Sequence, residues 1–239
     1  VTILLIRRLQ QHDLLSDDER QVLEQMPSNV AEFKPDEDLV REHDRPAFSS
    51  LLLDGWAYRY QILANGRRQI TAVHIPGDFV DLHSFLLKTM DHGVAALTAC
   101  KVALVPHETL RKVSIEHPHL SRLLWLTTII DAAILRKWLV GAGKRSVLEQ
   151  IAHLICEMFT RLRIIEGTVG DKFTLPMTQA EISDALGISI VHCNRMIKEL
   201  RARGLVEWKG NDVNVLDWGR LCELAEFDAT YLNLQSEPR

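Results

Sequence analysis

The chain has 239 residues, 46% of them hydrophobic and 25% charged, a globular balance with room for one large domain or two ordinary ones. Its net charge of −4 is not that of a protein coated in basic charge, so an anionic partner would have to be met by a local patch. The four cysteines, Cys100, Cys156, Cys193 and Cys222, lack any C-x-x-C spacing, which argues against a zinc site, a cysteine-ligated cluster or a disulfide framework. They are expected to be small buried residues.

No apolar run reaches membrane-spanning length. The opening VTILLIRR is too short for a signal peptide. A cytoplasmic protein without membrane association is expected, with residues preceding Val1, which is not Met.

Thr2 to about Glu24 reads as one or two short helices, with Ser16 and Glu19 spaced as a capping box. From Val30 the period changes to two. VAEF, DLVREH, SSLLLD, WAYRYQIL, RQITAVHI and LTACKVALVP are candidate strands. Turn signals separate them at Lys34-Pro35-Asp36, Asp44-Arg45-Pro46, Asp54-Gly55, Asn65-Gly66 and Pro76-Gly77-Asp78. Short strands punctuated this way predict an antiparallel barrel or roll.

The helical period returns at His119. The stretch LSRLLWLTTIIDAAILRKWLV has neither Gly nor Pro. Leu123, Leu126, Ile130, Ala133 and Val140 follow a 3-4 spacing, while Leu124, Trp125, Ile129, Ile134, Leu135 and Trp138 make other sides apolar. Such a helix must bury more than one face. One side would cover the roll, and the five-residue stripe would meet a second copy of the chain. Gly141-Ala142-Gly143 is the candidate hinge. A further helix follows, with Val147, Ile151, Leu154, Ile155 and Phe159 on one stripe, then a loop over Gly167 to Asp171 and a short strand over Phe173 to Leu175.

The segment from Met177 to Val215 carries the clearest signals. Thr178 and Glu181 form a capping box, and the helix they open runs to Leu186. Gly187 can take the left-handed conformation that ends it. Ser189 caps a second helix running to about Arg203 and closed by Gly204. Cys193, Met196, Ile197 and Leu200 share one face of this second helix, and Val191, Asn194, Arg195 and Lys198 share another. LVEW and VNVL then alternate around a turn at Lys209 to Asp212. That is a helix-turn-helix with a wing.

The chemistry of the polar face suits a duplex. Arg195 can pair with guanine, and Val191 can pack on a thymine methyl. His192 and Asn194 would add base or phosphate contacts. Thr178, Gln179, Ser189 and Lys198 would fix the backbone register. Between Ser189 and Gly210 five cations face two carboxylates, whereas from Leu221 onward four carboxylates face one arginine. A homodimer would match two half-sites of a near-palindrome.

The expected fold is α+β, an antiparallel β-roll, a long dimerisation helix and a C-terminal winged helix-turn-helix. The expected segments are a roll with flanking short helices over 1–117, the dimer helix and hinge over 118–143, the winged domain over 144–220, and a C-terminal helix and tail over 221–239.

Particular motifs deepen this. LLLDGWAYRYQILANGRRQITAVHIPGDFV, with its Gly55 turn, Asn65-Gly66 hairpin and Gly77-Asp78-Phe79, resembles the core roll of the Crp/Fnr superfamily of bacterial transcription regulators. MTQAEI, LGIS and IVHCNR are similar to its helix-turn-helix. The V-H-x-N-R helix and the tail with Asp217-Trp218, Leu221 and Leu224 resemble a subgroup common in alphaproteobacteria. The resemblance spans about residues 10 to 225. It implies a DNA-binding homodimer that engages RNA polymerase, and an effector pocket around Asp81, His83, Ser84 and Lys88.

Departures from the family pattern narrow the cofactors. Members that bind cyclic AMP carry Gly-Glu-Leu after the Gly-Asp-Phe element and a later Arg-Ser pair. Here Val80-Asp81-Leu82-His83-Ser84 follows, and between Pro76 and Cys100 the only cation among Lys and Arg is Lys88. Iron–sulfur members use N-terminal cysteines, and none precedes Cys100. Haem would need His74, His83 or His92, which read as ordinary roll histidines. No cofactor and no metal are therefore expected, and control by cyclic AMP is not.

The alternative is a small-molecule-sensing module, for a nucleotide or haem, or an enzyme in which the helix-turn-helix is incidental. No phosphate loop, nucleophile elbow or H-E-x-x-H motif supports an enzyme.

Overall fold

The computed structural model describes residues 2–26 and 29–238. Val1 and Arg239, which bound the first and last predicted segments, lie outside the described residues. Two short helices open the chain, α1 (Ile3–Gln10) and α2 (Asp17–Glu24). The predicted box caps α2: Ser16 Oγ accepts from the Glu19 N–H at 3.2 Å, and Glu19 Oε2 accepts from the Ser16 N–H at 2.9 Å.

The roll comprises β1 (Asn29–Phe33), β2 (Asp38–Val40), β3 (Phe48–Asp54), β4 (Ala57–Ile62), β5 (Arg68–His74), a short helix α3 (Ser84–Leu87), β6 (Gly93–Ala96) and β7 (Cys100–Pro106). Its strands form two antiparallel sheets, ordered β1-β7-β3 and β2-β6-β4-β5. Strand β6 escaped the sequence reading. Its four residues, GVAA, are all buried and small, so no polar alternation betrays them. Gly93 is there for a packing reason: a Cβ would come within 2.6 Å of the Tyr60 ring on the neighbouring strand.

Helix α4 (His107–Glu116), also unpredicted, leads into α5 (Pro118–Lys144). Pro118 stands at the first turn of α5, where its missing N–H costs nothing. The predicted hinge residues continue the helix. Gly141, Ala142 and Gly143 are helical. A long helix propagates through isolated glycines at a penalty of about 1 kcal/mol each. The break comes at Arg145, whose backbone is extended, and at Ser146, which forms a capping box with Glu149 to start α6 (Val147–Ile164).

A second antiparallel sheet unit follows, β8 (Thr168–Val169), β9 (Lys172–Thr174), β10 (Val206–Lys209) and β11 (Asp212–Val215), in the order β10-β11-β9-β8. It encloses α7 (Gln179–Leu186) and α8 (Ile190–Ala202). The last helix, α9 (Trp218–Ala225), starts three residues before the predicted boundary because Asp217 Oδ1 accepts from the Arg220 N–H at 3.0 Å. A 3-10 turn over Ala229–Leu232 ends the described chain's ordered elements.

Two features place the winged unit. One hydrophobic cluster runs from Trp56, Ile70 and Val73 of the roll into Ile151, Ile155 and Phe159 of α6 and on to Val213 of the wing. The tail folds back on α5, where Leu232 packs with Ile130 and Ile134. No helix among the described residues is long and apolar enough to cross a membrane.

Candidate nucleic-acid interface and roll cavity

The helix-turn-helix forms where the local signals put it. Thr178 Oγ1 accepts from the Glu181 N–H at 3.2 Å and caps α7. Gly187 ends it with φ of 67°, a conformation that strains other residues. Ser189 Oγ accepts from the His192 N–H at 3.3 Å and caps α8.

Helix α8 divides as its sequence dictates. Cys193, Ile197 and Leu200 are buried. Val191 is 81% exposed, and Arg195 and Lys198 are exposed beside it. Ile190, also exposed, adds an apolar contact surface that the sequence reading left unassigned. His192 and Asn194 are half-buried. Asn194 is already held: its Nδ2 donates to Gln179 Oε1 at 3.0 Å, tying α8 to α7. Within and beside the helix, Arg203 pairs with Glu199 at 2.8 Å and Lys209 with Glu207 at 2.6 Å. Among the described residues, Arg195, Lys198 and Arg201 enter no ion pair. Their charge is free for phosphate or base edges.

The roll grips α7 through contacts that its sequence did not announce. Arg68 Nε donates to Asp184 Oδ2 at 2.9 Å, and Gln69 Nε2 donates to the Ala185 carbonyl at 3.1 Å. Arg68 also donates to Tyr58 Oη at 2.7 Å.

The predicted dimer stripe needs correction. Leu123 is buried among residues of α1 and the roll, and Ile130 is buried under the tail. Leu126 and Ala133 are half-buried, and only Val140 of the five is exposed. The 3-4 period was real, but Leu123 and Ile130 of this stripe are covered by the chain itself. A different stripe is open: Trp125 is 65% exposed, Ile129 49% and Leu139 71%, with exposed Ala132 between them. These positions also follow a 3-4 period.

The four predicted effector residues do not line one pocket. Asp81 is buried, and its carboxylate accepts from the Ser50 N–H and from Ser50 Oγ. Burial raises its pKa to about 6, against the pull of those hydrogen bonds. Ser84 Oγ lies 3.2 Å from His107 Nε2. Lys88 is exposed, its Nζ donating to the Phe85 carbonyl at 2.8 Å. His83 alone faces the cavity between the roll and α5.

That cavity holds only about 30 Å³ of free space, roughly room for one water. Around it lie Arg8, Arg59, His74, Asp78, Asp131 and Arg161, from five elements and the turn after β5. Arg59 pairs with Asp131 at 2.8 Å. Asp78 forms an ion pair with Arg8 and accepts from Arg161 Nη2 at 2.8 Å and from the Ile75 N–H at 2.9 Å. Arg161 reaches Glu157 at 3.4 Å, and Glu157 accepts from Tyr231 Oη at 2.8 Å and Trp138 Nε1 at 3.1 Å.

Burial alone would raise the Asp78 pKa, but Arg8 and Arg161 outweigh it and hold the carboxyl low. Burial, with Arg59 nearby, pushes His74 down to about 3, so its ring is neutral. The hydroxyls of Thr127 and Thr128 are turned to their own helix, donating to the Leu124 and Trp125 carbonyls at 2.7 Å each. No arginine came from the stretch after Pro76, as expected. The ones present come from α1, β4 and α6, and each already faces a carboxylate.

Of the cysteines, Cys100, Cys156 and Cys193 are buried and Cys222 is half-buried, all as free thiols.

Comparison with known proteins adds to this geometry. A family model described as a cyclic nucleotide-binding domain matches residues 30–117, and one described as a Crp-like helix-turn-helix domain matches residues 149–224. The transcriptional activator protein FnrL of Cereibacter sphaeroides is 26% identical over 201 residues, covering 82% of this chain and 80% of that protein. The nitrogen fixation regulation protein FixK of Bradyrhizobium diazoefficiens is 28% identical over 198 residues, covering 81% of this chain and 80% of that protein. In fold, the structure of FixK2 from Bradyrhizobium japonicum superposes with a TM-score of 0.77 at 24% identity, covering 85% of this chain and 100% of that one.

Proposed function

The chain belongs to the Crp/Fnr family of bacterial transcription regulators, and from that premise we propose that it works as a homodimer on a near-palindromic DNA site, without control by cyclic AMP. The observation that carries the DNA assignment is the two-faced α8, with Arg195 and Lys198 exposed and, among the described residues, outside any ion pair, opposite buried Cys193, Ile197 and Leu200 and half-buried Met196.

Val191 and Ile190 at the start of α8 supply apolar contacts suited to thymine methyl groups. Asn194, locked to Gln179, orients rather than searches. Thr178 and Ser189 act mainly through the caps, which fix where α7 and α8 begin. The dimer seam is the exposed stripe Trp125, Ile129, Ala132 and Leu139 of α5. Large apolar side chains repeating along one helix face are expected to be covered by a second copy. RNA polymerase is the further partner the family relationship suggests.

The argument against cyclic AMP is physical. A nucleotide needs a free cation for its phosphate and far more room than one water occupies. The roll cavity offers arginines matched by Asp78, Asp131 and Glu157 instead.

The test is selection of bound duplexes from a random library, followed by sedimentation of the complex with and without cyclic AMP. An enriched palindrome whose half-sites lie one helical turn apart, bound by two protomers with equal affinity in both conditions, is expected. Absence of any enriched sequence would remove the proposal. A large gain in affinity with cyclic AMP would overturn the effector part of it.

A further inference from the structure

We propose that His83 and His92 bind one divalent transition-metal ion in the roll through their Nε2 atoms, with Asp91 behind His92. His83 stands at the start of α3 and His92 at the entry to β6. The two imidazoles lie with ring centroids 4.9 Å apart. The Nε2 atoms of both are buried and without a hydrogen-bond partner. A buried polar atom left without a partner carries an uncompensated desolvation penalty. A metal ion is a ligand that would satisfy both at once.

Asp91 completes the chemistry. Its Oδ1 accepts from His92 Nδ1 at 2.7 Å. That bond assigns the ring proton to Nδ1 and leaves the lone pair on Nε2, the arrangement found when a carboxylate backs a metal-bound histidine. A nitrogen of each ring and a carboxylate oxygen of Asp91 lie within 4.8 Å of one another. Bonds of about 2.1 Å to a tetrahedral ion would place the two Nε2 atoms about 3.4 Å apart. Imidazole donors suit zinc, cobalt, nickel or ferrous iron.

The backbone around the cluster is braced. Gln61 Nε2 donates to the Asp91 carbonyl at 3.1 Å. Met90 exchanges backbone bonds with His43 and Asp44 at 2.7 and 2.9 Å. Gly93, next to His92, is packed under Tyr60. Arg59, whose field reaches both rings, is matched by Asp131 at 2.8 Å, so Asp91 leaves the cluster net negative. Asp91 is largely exposed, which gives an ion a way in.

The site stands whether or not α8 reads DNA. The test is titration of the metal-free full-length protein with Co²⁺, and with Zn²⁺ in competition with a chromophoric chelator. One ion per protomer is expected, with ligand-field absorption and no thiolate-to-cobalt band. His83→Ala and His92→Ala should each weaken binding at least about 100-fold, and Asp91→Asn about 10- to 100-fold. His107→Ala and Cys222→Ser should leave it unchanged. Nitrogen chemical shifts of the wild-type histidines on adding Zn²⁺ decide the matter if a variant fails to fold: His83 and His92 should move and the other rings should not. A thiolate band, affinity unchanged in both histidine variants, or unmoved His83 and His92 resonances would overturn the proposal.

Discussion

The cations of α8 and the cations at the junction of roll and winged domain are the same residue types under opposite conditions. Arg195 and Lys198 are exposed and unpaired among the described residues. Arg8, Arg59 and Arg161 are buried or nearly so, and each meets a carboxylate. A free exposed cation is poised for an incoming phosphate, because neutralising it releases counterions condensed on the duplex. A buried, matched cation is committed, because withdrawing its partner strands a charge in a medium that solvates it poorly. The comparison separates the surface that binds from the network that holds the binding surface in place.

Breaking the network should have the largest effect. Asp78 joins α1, the turn after β5 and α6. Asp78→Ala leaves Arg8 and Arg161 facing each other and should cost about 3–5 kcal/mol of stability. Urea unfolding reads this directly, and a loss under about 1 kcal/mol would mean that the buried charges are solvated in some other way.

Next comes the exposed stripe of α5. Ile129→Asp should give monomers and weaken DNA binding about 100-fold or more, since the two half-sites are then no longer engaged together. Ile130→Asp should behave differently. It places a charge under the tail, against Leu232, and should lower protomer stability. Light scattering beside thermal melts distinguishes the two, and a stable dimer of Ile129→Asp would send the seam elsewhere.

The smallest effect belongs to a half-buried contact at the other end of α5. His119 donates to Glu19 Oε1 at 2.7 Å and to Asp13 Oδ2 at 3.1 Å. Burial lowers its pKa, but the two carboxylates outweigh that and raise it above the ordinary 6.5. A raised folded pKa means stability that is full below the unfolded value and lost as pH climbs through the folded one. Glu19 has the opposite sign. Burial would raise it, yet the Ser16 N–H and His119 bring it below its ordinary 4.5, so its share is lost in acid. The stability gap between wild type and His119→Gln should therefore be widest near pH 5–6, at about 1 kcal/mol, and should narrow above pH 6.5. A gap that grew with pH would contradict the assignment.

These regions also differ in how far the sequence disclosed them. The caps at Thr178 and Ser189, the left-handed Gly187 and the division of α8 into two faces depend on residues three or four apart, so a linear reading finds them. The roll strands were marked by their turns, except β6, whose small buried residues carry no alternation. Helix α5 is apolar on several sides, and its sequence cannot say which side its own tail will cover. Arg8, Asp78 and Arg161 share no local pattern, since the fold alone brings them together. The same is true of His83 and His92, which read as ordinary roll histidines until α3 and β6 set their rings side by side.

The measurement that bears most directly on the DNA-reading claim is fluorescence anisotropy of wild type, Arg195→Ala and Lys198→Ala on the selected palindrome and its single-base variants, at several salt concentrations. Arg195→Ala should cost about 1–3 kcal/mol and relax preference at one position in each half-site. Lys198→Ala should weaken all sequences alike and reduce the salt dependence by about one unit per contact. If Arg195→Ala weakened every sequence equally while Lys198→Ala changed base preference, α8 would face the groove the other way. If neither changed anything, α8 would not be the helix that reads DNA.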